Sequence, residues 1–389
     1  MAGVIYSVPY QLFIGAYMIL TLLEWSDRKR GVVSNPRIQW GCISLYLFFI
    51  GLRGYIGTDW YTYHTIFEAV PTLFTGDLHN YNASTLLDSG FIFFVSVVKT
   101  IWNDYHFLVF VSACLDVWML HIFLKRYTDR YALAFLVFLI MGGLTLCDLL
   151  RNVRGIFLFL LSLRYLNERR PVPFFALNLL GFLFHWTSVF YLPGYWLLHR
   201  RWKTGIFVAI FLVGNIVFLF QLEFLRPLLE RAGSSGGGRI SYLYVNYLLN
   251  DWFAERSPLS IGYLERIVSA LLIFGFRRKL VAQRATNNLF LNAYALYFFA
   301  WFALSEFREL SARASLLFIF SYWILFPALC DVIRVRFNRR VFLLFLVVYS
   351  WVKVIGMTSN VLYRYDNVLW GVESYQRRAE VFDRYYLNR

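Results

Sequence analysis

The chain has 389 residues, of which 59% are hydrophobic and only 16% charged, and its formal net charge is +15. So little charge over that length excludes a soluble monomeric globule and points to a polytopic membrane protein. The basic excess sits in short clusters between apolar runs, the distribution that cytoplasmic loops carry, so it does not indicate a nucleic-acid partner.

Apolar runs of roughly 17–25 residues recur along the chain, the length that crosses a bilayer as a helix. The alternating segments of a transmembrane barrel do not occur. The expected fold is an all-α integral membrane protein with about 12 transmembrane helices, forming a single polytopic domain over 1–389. The first span is read at 4–24, and Arg28-Lys29-Arg30 follow it rather than precede it. That order argues against a cleaved signal peptide and for an outward N-terminus.

The second span, 39–52, returns outward and delivers Arg53 and Gly57-Thr58-Asp59 to the exterior. Residues 53–88 form a long polar loop, and 89–103 is too short to span, so it is read as an interfacial or re-entrant helix. Further spans fall at 106–124, 131–148, 153–167, 172–188, 188–199, 204–222, 259–276, 287–304, 312–330 and 340–356. A broken helix between His185 and Pro193 serves as well as the boundary at 188. This phase puts Lys125-Arg126, Arg169-Arg170, Arg200-Arg201, Arg277-Arg278 and Arg339-Arg340 all on the cytoplasmic side. The exterior receives the 53–88 loop, Asp148 to Arg154, His185 to Ser188, the 222–258 loop, Ser305 to Arg313 and the tail from about 357.

Arg151 and Arg154 share one helix face at the lip of a span. Arginine at membrane depth takes a partner or a polar cavity, and a guanidinium fork matches a phosphate. Snorkelling to headgroups, or a salt bridge to Asp148, is the structural alternative. Arg53, Arg239 and Arg313 add cations on the same expected face, together suggesting a cavity for a diphosphate. Asp59 carries either acid–base chemistry or the cap of a helix beginning near Trp60. His185 is either a base or donor to substrate, or a hydrogen-bonded structural histidine. The run Gly233-Ser234-Ser235-Gly236-Gly237-Gly238 lacks the Gly-Lys-Ser/Thr of a phosphate loop and reads as a lid or a connector. Tyr242 and Tyr244 beyond it either stack on sugars or sit at the interface. Cys42, Cys114, Cys147 and Cys330 lie in or beside apolar runs without metal-like spacing, no metal motif and no Gly-x-Ser-x-Gly elbow occur, and no cofactor is implied.

Arg53…Gly57-Thr58-Asp59-Trp60…Tyr63…Phe67 resembles the signature of the EpsG-type, Wzy-like polysaccharide polymerases. Leu150-Arg151-Asn152-Val153-Arg154 resembles the family's Arg-Gln element, with Asn152 in place of glutamine, and Phe184-His185-Trp186-Thr187-Ser188 its Phe-His-x-Ser/Thr element. Arg313 before the aromatic span ending at Pro327 is similar to its late Arg element. The resemblance implies a multi-pass enzyme of the bacterial inner membrane with its site facing the periplasm or cell exterior. Such an enzyme serves O-antigen, capsule or exopolysaccharide synthesis. It moves a growing glycan from undecaprenyl diphosphate onto the non-reducing end of another lipid-linked repeat unit, inverting the anomeric carbon without a metal. The expected companions are membrane lipids, a chain-length regulator and a flippase of the same pathway. On this reading Arg53, Arg151, Arg154, Arg239 and Arg313 hold the diphosphate, and Asp59 or His185 activates the acceptor. Thr58, Tyr63, Asn152, Tyr242 and Tyr244 contact the substrate. Two other readings stand beside it: a multi-span lipid-phosphate-sugar glycosyltransferase adding one sugar, and a transporter or flippase of anionic lipid-glycans.

Overall fold

A computed structural model of the chain describes residues 2–75, 78, 81, 88–233 and 255–387. The described residues are helical, joined by turns, and hold no strand, only isolated bridges at Asn367 to Arg53 and Gly371. In chain order the main helices are α1 Val8–Lys29, α2 Pro36–Tyr46, α3 Trp60–Ala69, α4 Ser89–Ile101, α5 Tyr105–Tyr127, α6 Tyr131–Phe138, α7 Leu144–Asp148, α8 Asn152–Asn167 and α9 Pro171–Phe184. They continue as α10 Thr204–Leu219, α11 Leu225–Gly233, α12 Ile261–Gly275, α13 Asn287–Ala303, α14 Arg308–Leu316, α15 Phe320–Val332, α16 Arg336–Thr358 and α17 Tyr375–Leu387.

The boundaries have local causes. Asn35 accepts a bond from the Arg37 N–H and Pro36 opens α2, a polar cap followed by a residue with no donor to waste. Asp104 caps α5 through the Phe107 N–H at 2.9 Å. α9 ends at Phe184, where His185 turns extended, and a 3-10 turn over Trp186–Tyr191 follows, so the helix is broken there. The expected 312–330 span is two helices, α14 and α15, bent by 63°. Within the expected 53–88 loop, Trp60–Ala69 is a helix.

Among the described residues four helical stretches are long and apolar enough to cross a membrane: Gly3–Lys29, Tyr105–Tyr127, Tyr131–Asp148 and Arg336–Thr358; the bent α14–α15 pair makes a fifth if it is one span. α4, α9 and α10 are apolar but shorter. The thirteen residues of α4 rise about 20 Å, short of the ~30 Å of a hydrocarbon core.

Packing divides the chain into two compact units, Met1–Tyr195 with Ile333–Arg389, and Trp196–Val332. In the first unit α1, α5 and α16 run from one end to the other. At one end Arg28 donates to the Asp129 carbonyl at 2.6 Å, and Arg126 pairs with Glu168 at 3.2 Å. Arg130 and Arg339 both lie over the Trp25 ring there. The opposite end holds residues 52–60, the start of α5, residues 148–154 and the tail after α16. In the second unit Arg277 meets Thr204, and Asn288 and Asn292 bond the Arg200 carbonyl. At that unit's other end Glu306 accepts the N–H groups of Phe224, Leu225 and Arg226, capping α11. The basic doublets before the tail thus gather at one end of each unit, whereas Arg377-Arg378 of α17 pair with Glu373 and Asp366 at the site end of the first unit.

Candidate functional site

The site end of the first unit rests on an aromatic floor. Trp60, Tyr63 and Phe67 recur at helical spacing along α3 and bury one face against Phe91, Ile92 and Val95 of α4, Tyr105 and Leu108 of α5, and Leu150. Tyr375 and Phe382 of α17 close over it; Tyr375 stacks on His64 at 4.1 Å and Phe382 on Tyr61 at 4.6 Å. Burial holds the His64 imidazole below its ordinary range, with Glu68 opposing, so this ring packs as a neutral group.

Arg53 is built into the frame. It is 8% exposed and donates to the carbonyls of Ile50 at 2.8 Å and Cys147 at 2.6 Å, acceptors at the ends of helical segments. The tail braces the same stretch: Gly54 N–H bonds Asp366 O, Gly57 N–H bonds Leu362 O, Val368 N–H bonds Leu52 O, and the Asn367 amide bonds Phe48 O.

The Gly57-Thr58-Asp59 turn is explained by Asp148. That carboxylate accepts from the Thr58 N–H at 2.8 Å, the Thr58 hydroxyl at 3.2 Å and the Asp59 N–H at 3.3 Å. It caps α3 from a helix some ninety residues later, where the helix dipole favours an anion. Gly57 has φ +92, and a Cβ on it would lie 2.5 Å from Asp148 Oδ2, so no side chain fits this approach. The Asp59 side chain, one of the expected alternatives for that cap, makes no capping bond. Nor is Asp148 the salt-bridge partner of Arg151.

Arg151 instead faces Asp88 at 3.6 Å, and the same oxygen of Asp88 takes Nδ1 of His185 at 3.3 Å. The Tyr63 hydroxyl accepts the Arg151 N–H at 3.4 Å. Burial pushes that phenol up to about 12; Asp59, one turn before it on α3, pushes the same way and Arg151 opposes. Tyr63, Arg151, Asp88 and His185 therefore form one continuous polar chain drawn from α3, the tip of α4, the start of α8 and the end of α9, with Asp59 at the N-cap one turn before Tyr63. Asp88, Arg151 and His185 are 8%, 25% and 18% exposed at their side chains. Arg151 Nε is buried with no hydrogen-bond partner, as are the hydroxyls of Thr187 and Ser188 beside His185. A partly covered guanidinium with an unused donor, next to an imidazole held by a carboxylate, can bind an anion and move a proton.

Arg154 points elsewhere. It pairs with Asp116 of α5 inside the unit, both nearly inaccessible, with Phe94 under its guanidinium at 5.5 Å. Its Nε and second terminal nitrogen have no partner. Thr58 is spent on Asp148, and Asn152 opens α8 beside Arg151. Arg313 belongs to the second unit, 61% exposed and paired with Glu309 one turn earlier on α14. Arg239, Tyr242 and Tyr244 lie outside the described residues. Among the described residues no group of three or more His, Cys, Asp or Glu could hold a metal ion.

Sequence reasoning misses Asp88 and Asp116 as partners, and it sets Asp148 against Arg151 rather than against the Thr58-Asp59 turn. Asp116 carried a usable signal, a carboxylate in the middle of an apolar span, where a charge needs a partner. Asp88 carried none, because an aspartate ending a polar stretch is ordinary.

No curated relative and no solved structure matches the chain. A family model does, over residues 40–368, a range that takes in Asp59, Asp88, Arg151 and His185. With most of its length so matched, the chain belongs to the EpsG family, the family of Wzy-like polysaccharide polymerases.

Proposed function

We propose that this chain is a glycosyltransferase of the bacterial inner membrane that polymerises lipid-linked repeat units. It transfers a growing glycan from undecaprenyl diphosphate to the non-reducing end of the next unit. The observation that carries the reading is the polar chain Tyr63–Arg151–Asp88–His185, assembled from separated segments of a chain in this family, with Asp59 one turn before Tyr63.

In the proposed reaction the acceptor hydroxyl oxygen forms a bond to the anomeric carbon and gives its proton to His185 or Asp59. The bond from that carbon to the diphosphate oxygen breaks, and its electron pair leaves on the diphosphate, whose charge Arg151 stabilises. A single displacement of this kind inverts the carbon. Arg154, one turn deeper on the same helix, is paired with Asp116 and holds that helix in place rather than the diphosphate. Arginine takes the part that a metal ion plays elsewhere.

The gathering of the first unit's basic doublets before the tail at one end supports placing that end in the cytoplasm, with the polar chain and the tail facing out. With that orientation α4 lies along the outer interface. About 12 crossings of one membrane domain would need α9, α10 and further helices shorter than a full span to cross as well.

Purified protein in detergent, given one lipid-linked repeat unit, should produce a ladder of products without any gradient. A single added sugar would move the assignment to the single-addition transferases. Vesicle transport without bond formation would move it to the flippases.

A further inference from the structure

Asp88 occupies the N-cap of α4 with extended backbone, the position where an aspartate side chain ordinarily accepts from its own helix. It makes no such bond. Its backbone carbonyl takes the N–H groups of Phe91 and Ile92, while the carboxylate turns to segments about 60 and 100 residues away, Arg151 and His185. Both contacts fall on one oxygen, at 3.6 and 3.3 Å, on a side chain only 8% exposed.

An ionised carboxylate accepts only, so Nδ1 of His185 is the donor in this contact and Nε2 is the ring nitrogen left to face a substrate. A guanidinium and an imidazole that share one carboxylate oxygen divide its negative charge between them. An anion that draws off Arg151 leaves Asp88 to the imidazole alone. Arg151 Nε has no hydrogen-bond partner in this arrangement and is buried, a donor that an anion reaches once the guanidinium turns from Asp88.

We propose that Asp88 is the positioning carboxylate of this site: it fixes His185 through Nδ1 and holds Arg151 until a lipid-linked diphosphate takes the guanidinium. The inference deepens the polymerase reading and rests on it for the nature of the ligand. Asp88 acts through its two partners and does not touch the reacting atoms. The consequence is that filling the diphosphate site readies the base, so acceptor activation waits on the donor.

The test uses the full chain, solubilised and monodisperse, with two readouts. In polymerisation, D88N should lower kcat by about 10- to 100-fold, the usual cost of losing a group that orients a functional side chain. KM for the lipid-linked unit should fall or stay level, because a competitor for Arg151 has been removed. In an H185A background the same change should lower kcat no further, and D88E should recover most of the loss. In calorimetry with inorganic pyrophosphate, D88N should bind more tightly than the unaltered chain and R151A far more weakly. D88S replaces D88N if the amide prevents folding, since serine suits a helix N-cap. A rise in KM alongside the fall in kcat, additivity with H185A, or unchanged pyrophosphate affinity overturns the proposal. If the unaltered chain makes no polymer yet D88N tightens pyrophosphate, the polymerase reading falls while the hold of Asp88 on Arg151 stands.

Discussion

Arg151 and Arg154 lie three residues apart at the opening of one helix, on what the sequence presents as one face, yet they meet different surroundings. Arg154 enters the unit and faces Asp116 from the middle of α5, both side chains at most 4% exposed, with Phe94 beneath. Arg151 stays at the rim, a quarter exposed, facing a carboxylate that it shares with His185. A charge without water requires an opposite charge permanently, because the unpaired state costs several kcal/mol. At the rim, water or a ligand can take either partner's place. The inner arginine is therefore an architectural element and the outer one can exchange partners.

The largest expected effect breaks the inner pair. R154A or D116A alone should destabilise by about 3–5 kcal/mol, since each leaves an uncompensated buried charge. Thermal unfolding in detergent and the yield of monodisperse protein measure it. The double change R154M/D116L should recover most of the loss, and a double variant no better than the singles would contradict the assignment. Next comes the Asp148 cap. D148A leaves the Thr58 and Asp59 N–H groups and the Thr58 hydroxyl without that acceptor, at a cost of about 1–3 kcal/mol. G57A strains a backbone at φ +92 and crowds the same carboxylate, costing about 1–2 kcal/mol. A G57A chain that melts with the parent would mean the turn can re-form without Asp148.

These rankings mark what a sequence can and cannot convey. Apolar run length fixes helices closely: the reading of 204–222 meets a helix at Thr204–Leu219, and 287–304 one at Asn287–Ala303. Arg151 and His185 were legible as site candidates because a cation or an imidazole at a span's lip is costly without a use. Asp88–His185 and Asp116–Arg154 are products of tertiary packing, as is the bracing of residues 48–57 by a tail more than 300 residues later. No periodicity encodes such pairings. For the same reason Arg53 reads as a ligand in sequence, while folding gives its terminal nitrogens to two carbonyls. The Gly-Thr-Asp turn reads as chemistry at Thr58 and Asp59, whereas Gly57 and Thr58 serve the Asp148 cap.

At the rim the order of effects reverses, with small changes in stability and large ones in activity. R151A should shift stability by no more than ~1 kcal/mol, since its pair is partly solvated and Asp88 retains His185. Polymer formation should nonetheless fall by about 100-fold or more, the cost of deleting a preorganised donor to a leaving anion. D59N should have the smallest effect on stability, within about 0.5 kcal/mol, because the Asp59 side chain does not cap α3. Its activity then separates the two candidate bases. With His185 as base and Asp59 helping to orient the acceptor, D59N should cost about tenfold and H185A at least about 100-fold. Equal losses in two equally stable variants would mean that both groups serve the proton transfer. The reverse order would assign it to Asp59 and leave the Asp88–His185 pair as a donor to the diphosphate.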